Sequence, residues 1–218
     1  MLIHWLSVVF LSFTLPGCLS QAPHDPAGSL EPETESVTET PVPNGPVDTE
    51  LLVAGCFGCH GPAGHSAVPA IPSLAGLPED YFIGVMRAYQ YGGRYGSVMG
   101  RIALGYSQDE ITRMARYFSR LEHAPHTQRI DWNLRNKGRQ LHRLYCRECH
   151  GDLTLDAEAG VNKLNGQWMD YLRWTLQDYL IGINQGDAQM SQQLTLLIRR
   201  HGVEGLEVLI NYLGSAKP

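Results

Sequence analysis

From about residue 48 onward, apolar residues recur every three or four positions, which is the period of an amphipathic α-helix. One apolar stripe follows a proline and two acidic residues at 78–80, a typical helix start, and comprises Phe82, Val85, Met86 and Tyr89. Another follows Ser107-Gln108-Asp109-Glu110, which resembles a capping box, and comprises Ile111, Met114, Ala115 and Phe118. A shorter helix is expected after Asp48. Strong β alternation is absent from the sequence, so the pattern predicts an all-α fold.

The helical pattern occurs twice, with an offset of 90 residues between Cys56-x-x-Cys59-His60 and Cys146-x-x-Cys149-His150. In the second copy, helices are expected over residues 134–145, 168–180 and 190–213, the last interrupted by Gly202 and Gly205. A repeat of this length indicates two copies of a small domain rather than a solenoid. We therefore predict domains at residues 47–122 and 133–218, joined by a linker at 123–132.

The N-terminal region has a different composition. Residues 6–15 form an apolar run of signal-peptide length, and they lead into Leu15-Pro16-Gly17-Cys18, which resembles a bacterial lipobox. We predict a signal peptide over residues 1–18 with lipidation of Cys18; a plain secretory signal cut near Ala22 is the alternative. Residues 19–46, rich in Pro, Thr and Glu, predict a disordered acidic tether. The mature chain is thus predicted to be periplasmic and anchored to the membrane as a lipoprotein.

Charge and cysteine content narrow the candidate chemistry. The 218-residue chain has a formal net charge of −5, and all of its Lys and Arg residues lie at Arg87 or later. No block of like charge suggests nucleic-acid binding. Four of the five cysteines belong to the two C-x-x-C pairs, which leaves Cys18 as the odd one, at the position of a lipid anchor.

Three chemistries use a C-x-x-C pair. A redox disulfide places it at a helix start after a strand, and no strand is expected before either pair. A structural zinc site commonly uses two pairs separated by about 15–20 residues, far fewer than separate these two. Covalent haem attachment requires two thiols for the vinyl groups and an adjacent histidine for the iron. We therefore predict two haem c groups, one attached at Cys56 and Cys59 with His60 as iron ligand, the other at Cys146, Cys149 and His150.

A six-coordinate electron-transfer haem needs a second axial ligand, commonly methionine. Met99 and Met190 follow the two motif histidines by about 40 residues, and both lie in polar, glycine-containing stretches that predict loops. The remaining candidates, Met86, Met114 and Met169, fall on apolar helical stripes that suit a protein core. We predict Met99 and Met190 as the distal ligands. His142, one turn before Cys146, is expected to lie near the second haem.

Longer stretches of the chain resemble a known family. The segments at 97–106 and 164–172, the latter containing Gly166-Gln167-Trp168, are similar to the dihaem cytochrome subunit of flavocytochrome c sulfide dehydrogenase, which has two class I cytochrome c domains in tandem. The resemblance covers nearly all of residues 48–214. It implies the same two distal methionines, and it implies that the carbonyl of Pro69 accepts a hydrogen bond from His60.

The resemblance implies an electron-transfer subunit without its own catalytic site. Its donor would be an FAD-containing sulfide dehydrogenase subunit, and its acceptor a soluble protein such as a small cytochrome. A stand-alone dihaem shuttle of the cytochrome c4 type is the main alternative. A haem sensor or ligand-binding enzyme, with Met190 detached from iron, and a structural zinc lipoprotein are further hypotheses.

Overall fold

The computed structural model describes residues 48–96, 98–152, 165–184 and 188–215. The predicted signal peptide, Cys18 and the tether lie outside these residues. The described part contains helices and a short 3₁₀ turn at Pro62–Gly64 but no strand, which confirms the all-α prediction. The helices are α1 (Thr49–His60), α2 (Glu79–Gln90), α3 (Met99–Leu104), α4 (Gln108–Ser119), α5 (Arg135–Tyr145), α6 (Arg147–His150), α7 (Met169–Leu180) and α8 (Ala188–Gly214). Across the described ranges, no helix has the length and apolar character needed to span a membrane.

The predicted helix caps are present. Helix α1 begins after Asp48, whose carboxylate accepts a hydrogen bond from the Glu50 backbone N–H at 3.0 Å. Helix α4 begins with the predicted capping box, in which the Glu110 backbone N–H donates to Ser107 Oγ and the Ser107 N–H donates to the Glu110 carboxylate. Helix α3 was not predicted, because the segment around Met99 is rich in glycine and was interpreted as a loop.

Two hydrophobic cores underlie the fold. The core of the first half packs α1, α2 and α4 around Phe118, which is fully buried and stacks on Phe82 with 5.5 Å between ring centroids. The core of the second half packs α5 and α7 against α8 and is centred on Leu197 and Leu209. These cores agree with two helical domains, although the exact boundaries of the predicted domains remain a prediction.

The glycines of α8 differ in role. Gly202 has φ 68° and ψ −173°, so it breaks the helix as predicted. Gly205 does not interrupt the helix; it is buried, and a Cβ there would lie 2.4 Å from Cβ of His201. The expectation that Gly205 interrupts the helix was wrong, because close packing after the Gly202 kink, rather than backbone freedom, explains this glycine.

The predicted linker packs against the same turn of both halves. Gly76 and Gly166 are equivalent in the repeat and have nearly the same φ, 73° and 78°. A Cβ at Gly76 would lie 2.8 Å from Cβ of His123, and one at Gly166 would lie 2.4 Å from Cβ of Pro125. The two turns therefore need glycine both for their left-handed backbone and for close contact with the connecting segment.

A substitution at Gly138 would test the close packing of α5 on α8. A Cβ at Gly138 would lie 2.5 Å from Cβ of Tyr212 and 2.6 Å from the carbonyl oxygen of Val208. We expect Gly138→Ala to lower the free energy of unfolding by about 1–3 kcal/mol through overpacking. Gly84→Ala is the matched control, since Gly84 is exposed within α2 with no atom near its added Cβ; it should raise stability by about 0.5–1 kcal/mol. Equal urea midpoints for the two variants in circular dichroism would contradict this account of α5–α8 packing.

Candidate functional site

A cavity of about 390 Å³ lies beside the first motif. Helix α1 runs through the motif without a break, so Cys56, Cys59 and His60 lie three and four positions apart on one helix face. All three line the cavity, together with apolar side chains from α2, α3 and α4. The arrangement is a deep apolar pocket with two thiols and one imidazole along a single wall.

His60 is oriented by a backbone carbonyl. The residue is 7% exposed, and its Nδ1 donates to the carbonyl of Pro72 at 2.8 Å. The other ring nitrogen, Nε2, is therefore the one available to bind iron. Burial lowers the pKa of His60, and the bond to Pro72 opposes this shift only in part, so the imidazole is neutral, as a metal ligand must be.

The predicted acceptor for His60 was wrong. The carbonyl of Pro69 instead accepts the backbone N–H of Tyr171 at 3.0 Å, across the boundary between the two halves. The chain turns between Val68 and Ile71, where the Ile71 N–H donates to the Val68 carbonyl. Because of this turn, the two carbonyls have different partners. The Pro69 carbonyl accepts a hydrogen bond from the second half, and the Pro72 carbonyl accepts one from His60.

Three methionines line the cavity. Met86 in α2 and Met114 in α4 are buried in the first core, at 5% and 0% exposure. Met99, the first residue of α3, is half-buried and lies outside the tightly packed centre of that core. The structure thus places Met99 at the same cavity as His60, but at a helix start rather than in the predicted loop.

The second motif is built differently. Cys146 separates α5 from α6, and Cys149 and His150 belong to the single turn of α6. His142 is buried one turn earlier, and burial, with a smaller effect from His150, lowers its pKa to about 4. Met190 lies in the first turn of α8 against the second core, which agrees with the helix predicted over 190–213 and not with the loop predicted around this ligand. Residues 153–164, which follow this motif, lie outside the described part of the chain.

The thiols do not suit the rival chemistries. Cys56, Cys59, Cys146 and Cys149 are all free, without a disulfide. Burial raises the pKa of Cys56, and it raises that of Cys146 to about 12, whereas redox-active cysteines have a lowered pKa. Within the described ranges, no three His, Cys, Asp or Glu side chains form a group that could hold a metal ion. These observations disfavour the redox-disulfide and zinc interpretations.

The second half closes one wall of the first cavity. Gln167 and Tyr171 line the cavity, and Gln167 exchanges two buried hydrogen bonds with the backbone of Ser73 at 3.1 and 3.3 Å. Next to it, Trp168 donates from Nε1 to the carbonyl of Ser66 at 3.1 Å and stacks on His126, 4.1 Å between centroids. The Gly-Gln-Trp segment that carries the family resemblance is thus a contact between the two halves, a role that its local pattern did not reveal.

The fold and the first cavity fit covalently bound haem, and the internal repeat supplies a second motif of the same kind. The chain is a dihaem c-type cytochrome that transfers electrons. Haem iron supplies reversible one-electron transfer when bound. The motif thiols, the oriented imidazole of His60 and the apolar pocket would hold the group.

Comparison with known proteins leads to the family. No family model matches the chain. The cytochrome subunit of sulfide dehydrogenase from Chlorobaculum tepidum is 39% identical over 77 residues, which cover 35% of this chain and 69% of that protein. The thiosulfate dehydrogenase electron acceptor of Thiomonas intermedia is 30% identical over 152 residues, covering 62% and 66% of the two chains. The chain belongs to the same family as the cytochrome subunit of sulfide dehydrogenase.

A solved structure agrees with the architecture. Reduced recombinant cytochrome c4 from Pseudomonas stutzeri superposes with a TM-score of 0.65 at 26% identity, and the alignment covers 77% of this chain and 98% of that chain. This agreement confirms the prediction of tandem class I cytochrome c domains.

Proposed function

We propose that this cytochrome accepts electrons from an FAD-containing sulfide dehydrogenase subunit and passes them to a soluble acceptor such as a small cytochrome. The observation that carries the proposal is the 39% identity to a cytochrome subunit of sulfide dehydrogenase. The chain itself provides no catalytic site in this proposal, because the oxidation of sulfide belongs to the partner.

The proposal assigns a role to each motif residue. The thiols of Cys56, Cys59, Cys146 and Cys149 would hold the haem groups by addition to their vinyl groups; each addition would form one C–S bond, place the thiol hydrogen on the other vinyl carbon and need no oxidant. His60 and Met99 would hold the first iron, and His150 and Met190 would hold the second. The cavity shared by His60 and Met99 supports the assignment at the first haem.

Exposure supports a proposed place of electron exchange at the first haem. Val98 and Ile102 both line the cavity, and they are 61% and 41% exposed. They therefore mark where the cavity opens to solvent, next to Met99. A partner that covers these two side chains would approach the edge of the first haem, and apolar contact there would exclude water from the path of the electron.

We also propose a location for the protein, at the periplasmic side of a membrane. Export through residues 1–18 places the domains at 47–122 and 133–218 in the periplasm, and acylation of Cys18 holds them at the membrane through the tether. We expect the intact chain to be recovered with membranes, and a Cys18→Ser chain to be recovered in the soluble periplasmic fraction with both haems. Recovery of the intact chain as soluble protein would contradict the lipid anchor.

The donor is tested with protein from the native host. We expect an FAD-containing protein to co-purify with the cytochrome, and sulfide to reduce the haems only when that protein is present. Val98→Asp with Ile102→Asp should slow this reduction, whereas Leu144→Asp, at an exposed apolar site on α5 that does not line the cavity, should not. Reduction without a flavoprotein, by a membrane quinol-oxidising complex, would instead support the cytochrome c4-like shuttle. That alternative is favoured by the 98% coverage of the cytochrome c4 structure.

A further inference from the structure

A single arginine lies among four tyrosines between the two halves. Arg94 is half-buried, and its Nη2 donates to the hydroxyl of Tyr171 at 3.0 Å. Its guanidinium carbon lies 5.4 Å from the ring centroid of Tyr89. Tyr81 also hydrogen-bonds to Arg94, and Tyr179 completes the group electrostatically. We call these five residues the tyrosine–arginine cluster.

The charge of this cluster is not balanced by the residues around it. Among the ion pairs of the described residues, none involves Arg94. Asp178 is close enough to raise the pKa of Tyr89, but it does not form an ion pair with Arg94. Burial also raises the pKa of Tyr81 and Tyr89, so their phenols stay protonated and do not cancel the charge. A half-buried guanidinium whose partners are all neutral would be stabilised by a bound anion.

Three tyrosines of the cluster line the first cavity, and Arg94 contacts Tyr89 and Tyr171. Tyr81, Tyr89 and Tyr171 line the cavity, whose other walls are mainly apolar. Haem carries two propionate carboxylates at one edge of an otherwise apolar ring. A haem attached to α1 through its vinyl groups would find hydroxyl donors at this wall, and Arg94, which is hydrogen-bonded to Tyr171, would supply the opposite charge beside them.

The repeat places a different residue at the equivalent position of the second half. Arg94 and Asn184 follow glycines with almost the same backbone, Gly92 at φ 76° and Gly182 at φ 74°. The backbone N–H of each donates to an equivalent carbonyl at 3.1 Å, that of Ala88 for Arg94 and that of Asp178 for Asn184. The two side chains therefore leave the backbone at matching points of the two halves.

Asn184 has the features of a ligand-facing polar group. The residue is only 4% exposed, and neither its side-chain amide nitrogen nor its amide oxygen has a hydrogen-bond partner among the described residues. A buried amide without a partner costs free energy comparable to a lost hydrogen bond. An acceptor supplied by a bound group would remove that cost.

We propose that Arg94 binds a propionate of the first haem, that Asn184 faces a propionate of the second, and that this difference gives the two haems unequal charge environments. The cation of Arg94 favours the ferrous form of the nearer iron and thereby raises its reduction potential. The neutral amide of Asn184 holds its propionate without this effect. The proposal rests on haem at the first motif but not on the identity of the electron donor.

The test uses the full-length protein carrying both haems. We expect Arg94→Gln to reduce the equilibrium constant for reduction of the first haem about tenfold, which corresponds to about 59 mV for one electron, with a smaller change at the second haem. Arg94→Lys should retain most of the wild-type value. Arg101→Gln removes the same charge from an exposed position on α3 and is the matched control. Potentiometric titration followed by NMR, which resolves the two haems, provides the measurement.

The measurements distinguish a failure of this proposal from a failure of the chain to bind haem. Haem content per chain is measured for every variant, so a failure to attach haem is seen directly. Infrared spectra should show that Arg94→Gln and Arg94→Lys shift a propionate carboxylate band. An Arg94→Gln shift no larger than that of Arg101→Gln, or equal shifts at both haems, would overturn the proposal. If Arg94→Gln does not fold, an unchanged carboxylate band in Arg94→Lys would overturn it as well.

Discussion

A chain in which Cys56 and Cys59 are both replaced by alanine is expected to carry one covalently bound haem instead of two. Each motif holds its own pair of thiols, and the two pairs belong to different helical cores. The loss at the first motif should therefore leave attachment at Cys146 and Cys149 intact. Intact-protein mass and haem absorbance per chain measure the result, and the absorbance should fall by about half.

Substitutions of the other cysteines show whether the loss of one haem is specific to the first motif. Cys146→Ala with Cys149→Ala should also leave one haem, attached at the first motif. Cys18→Ala should leave both haems, because Cys18 belongs to neither pair. A chain lacking the first two thiols that still holds two covalent haems, or one that loses both, would show that the motifs do not act as independent attachment sites.

Replacing Met99 with leucine is expected to convert one of the two haems from low spin to high spin. Leucine keeps nearly the same volume, so the exchange should cost less than about 1.5 kcal/mol of stability, but it removes the sulfur that would bind iron. Since methionine ligation raises the potential of a c-type haem, the equilibrium constant for its reduction should fall at least about tenfold, or about 59 mV. The haem without its sulfur ligand should also bind carbon monoxide.

Two other methionines that line the cavity allow the same Met-to-Leu substitution as controls. Met86→Leu and Met114→Leu remove the other two thioethers that line the cavity, and both should keep two low-spin haems. Met190→Leu should affect the second haem and leave the first unchanged. If Met99→Leu keeps the low-spin spectrum while Met86→Leu or Met114→Leu loses it, the ligand is a core methionine and the assignment of Met99 is wrong.

Sequence patterns predicted features that depend on neighbouring residues. The cap at Asp48, the capping box at Ser107 and the helix break at Gly202 all involve contacts within about one helical turn, and all three are present. Hydrophobic periodicity placed Phe118 in a core for the same reason, since one face of a helix must be buried.

Predictions failed where the decisive contact comes from elsewhere in the chain. Whether Pro69 or Pro72 accepts from His60 depends on a turn and on the backbone of Tyr171, which lies in the other half. The glycine-rich stretch before Met99 suggested a loop, yet the segment forms α3. Helix α3 is held by Gln90, whose side-chain amide donates to the carbonyls of Ala103 and Tyr106, both at 2.8 Å. Such contacts leave no trace in local composition.

The sequence by itself determined the C-x-x-C-H motifs, their repetition and the helices that carry them, because spacing along a helix fixes which side chains share a face. Only the tertiary structure decided how the first site is enclosed and charged. Gln167 reaches Ser73 across 94 residues of sequence, and Arg94 meets Tyr171 across 77. These contacts exist because the two halves pack together, and that packing brings tyrosine hydroxyls to the wall of the cavity, one of them hydrogen-bonded to Arg94.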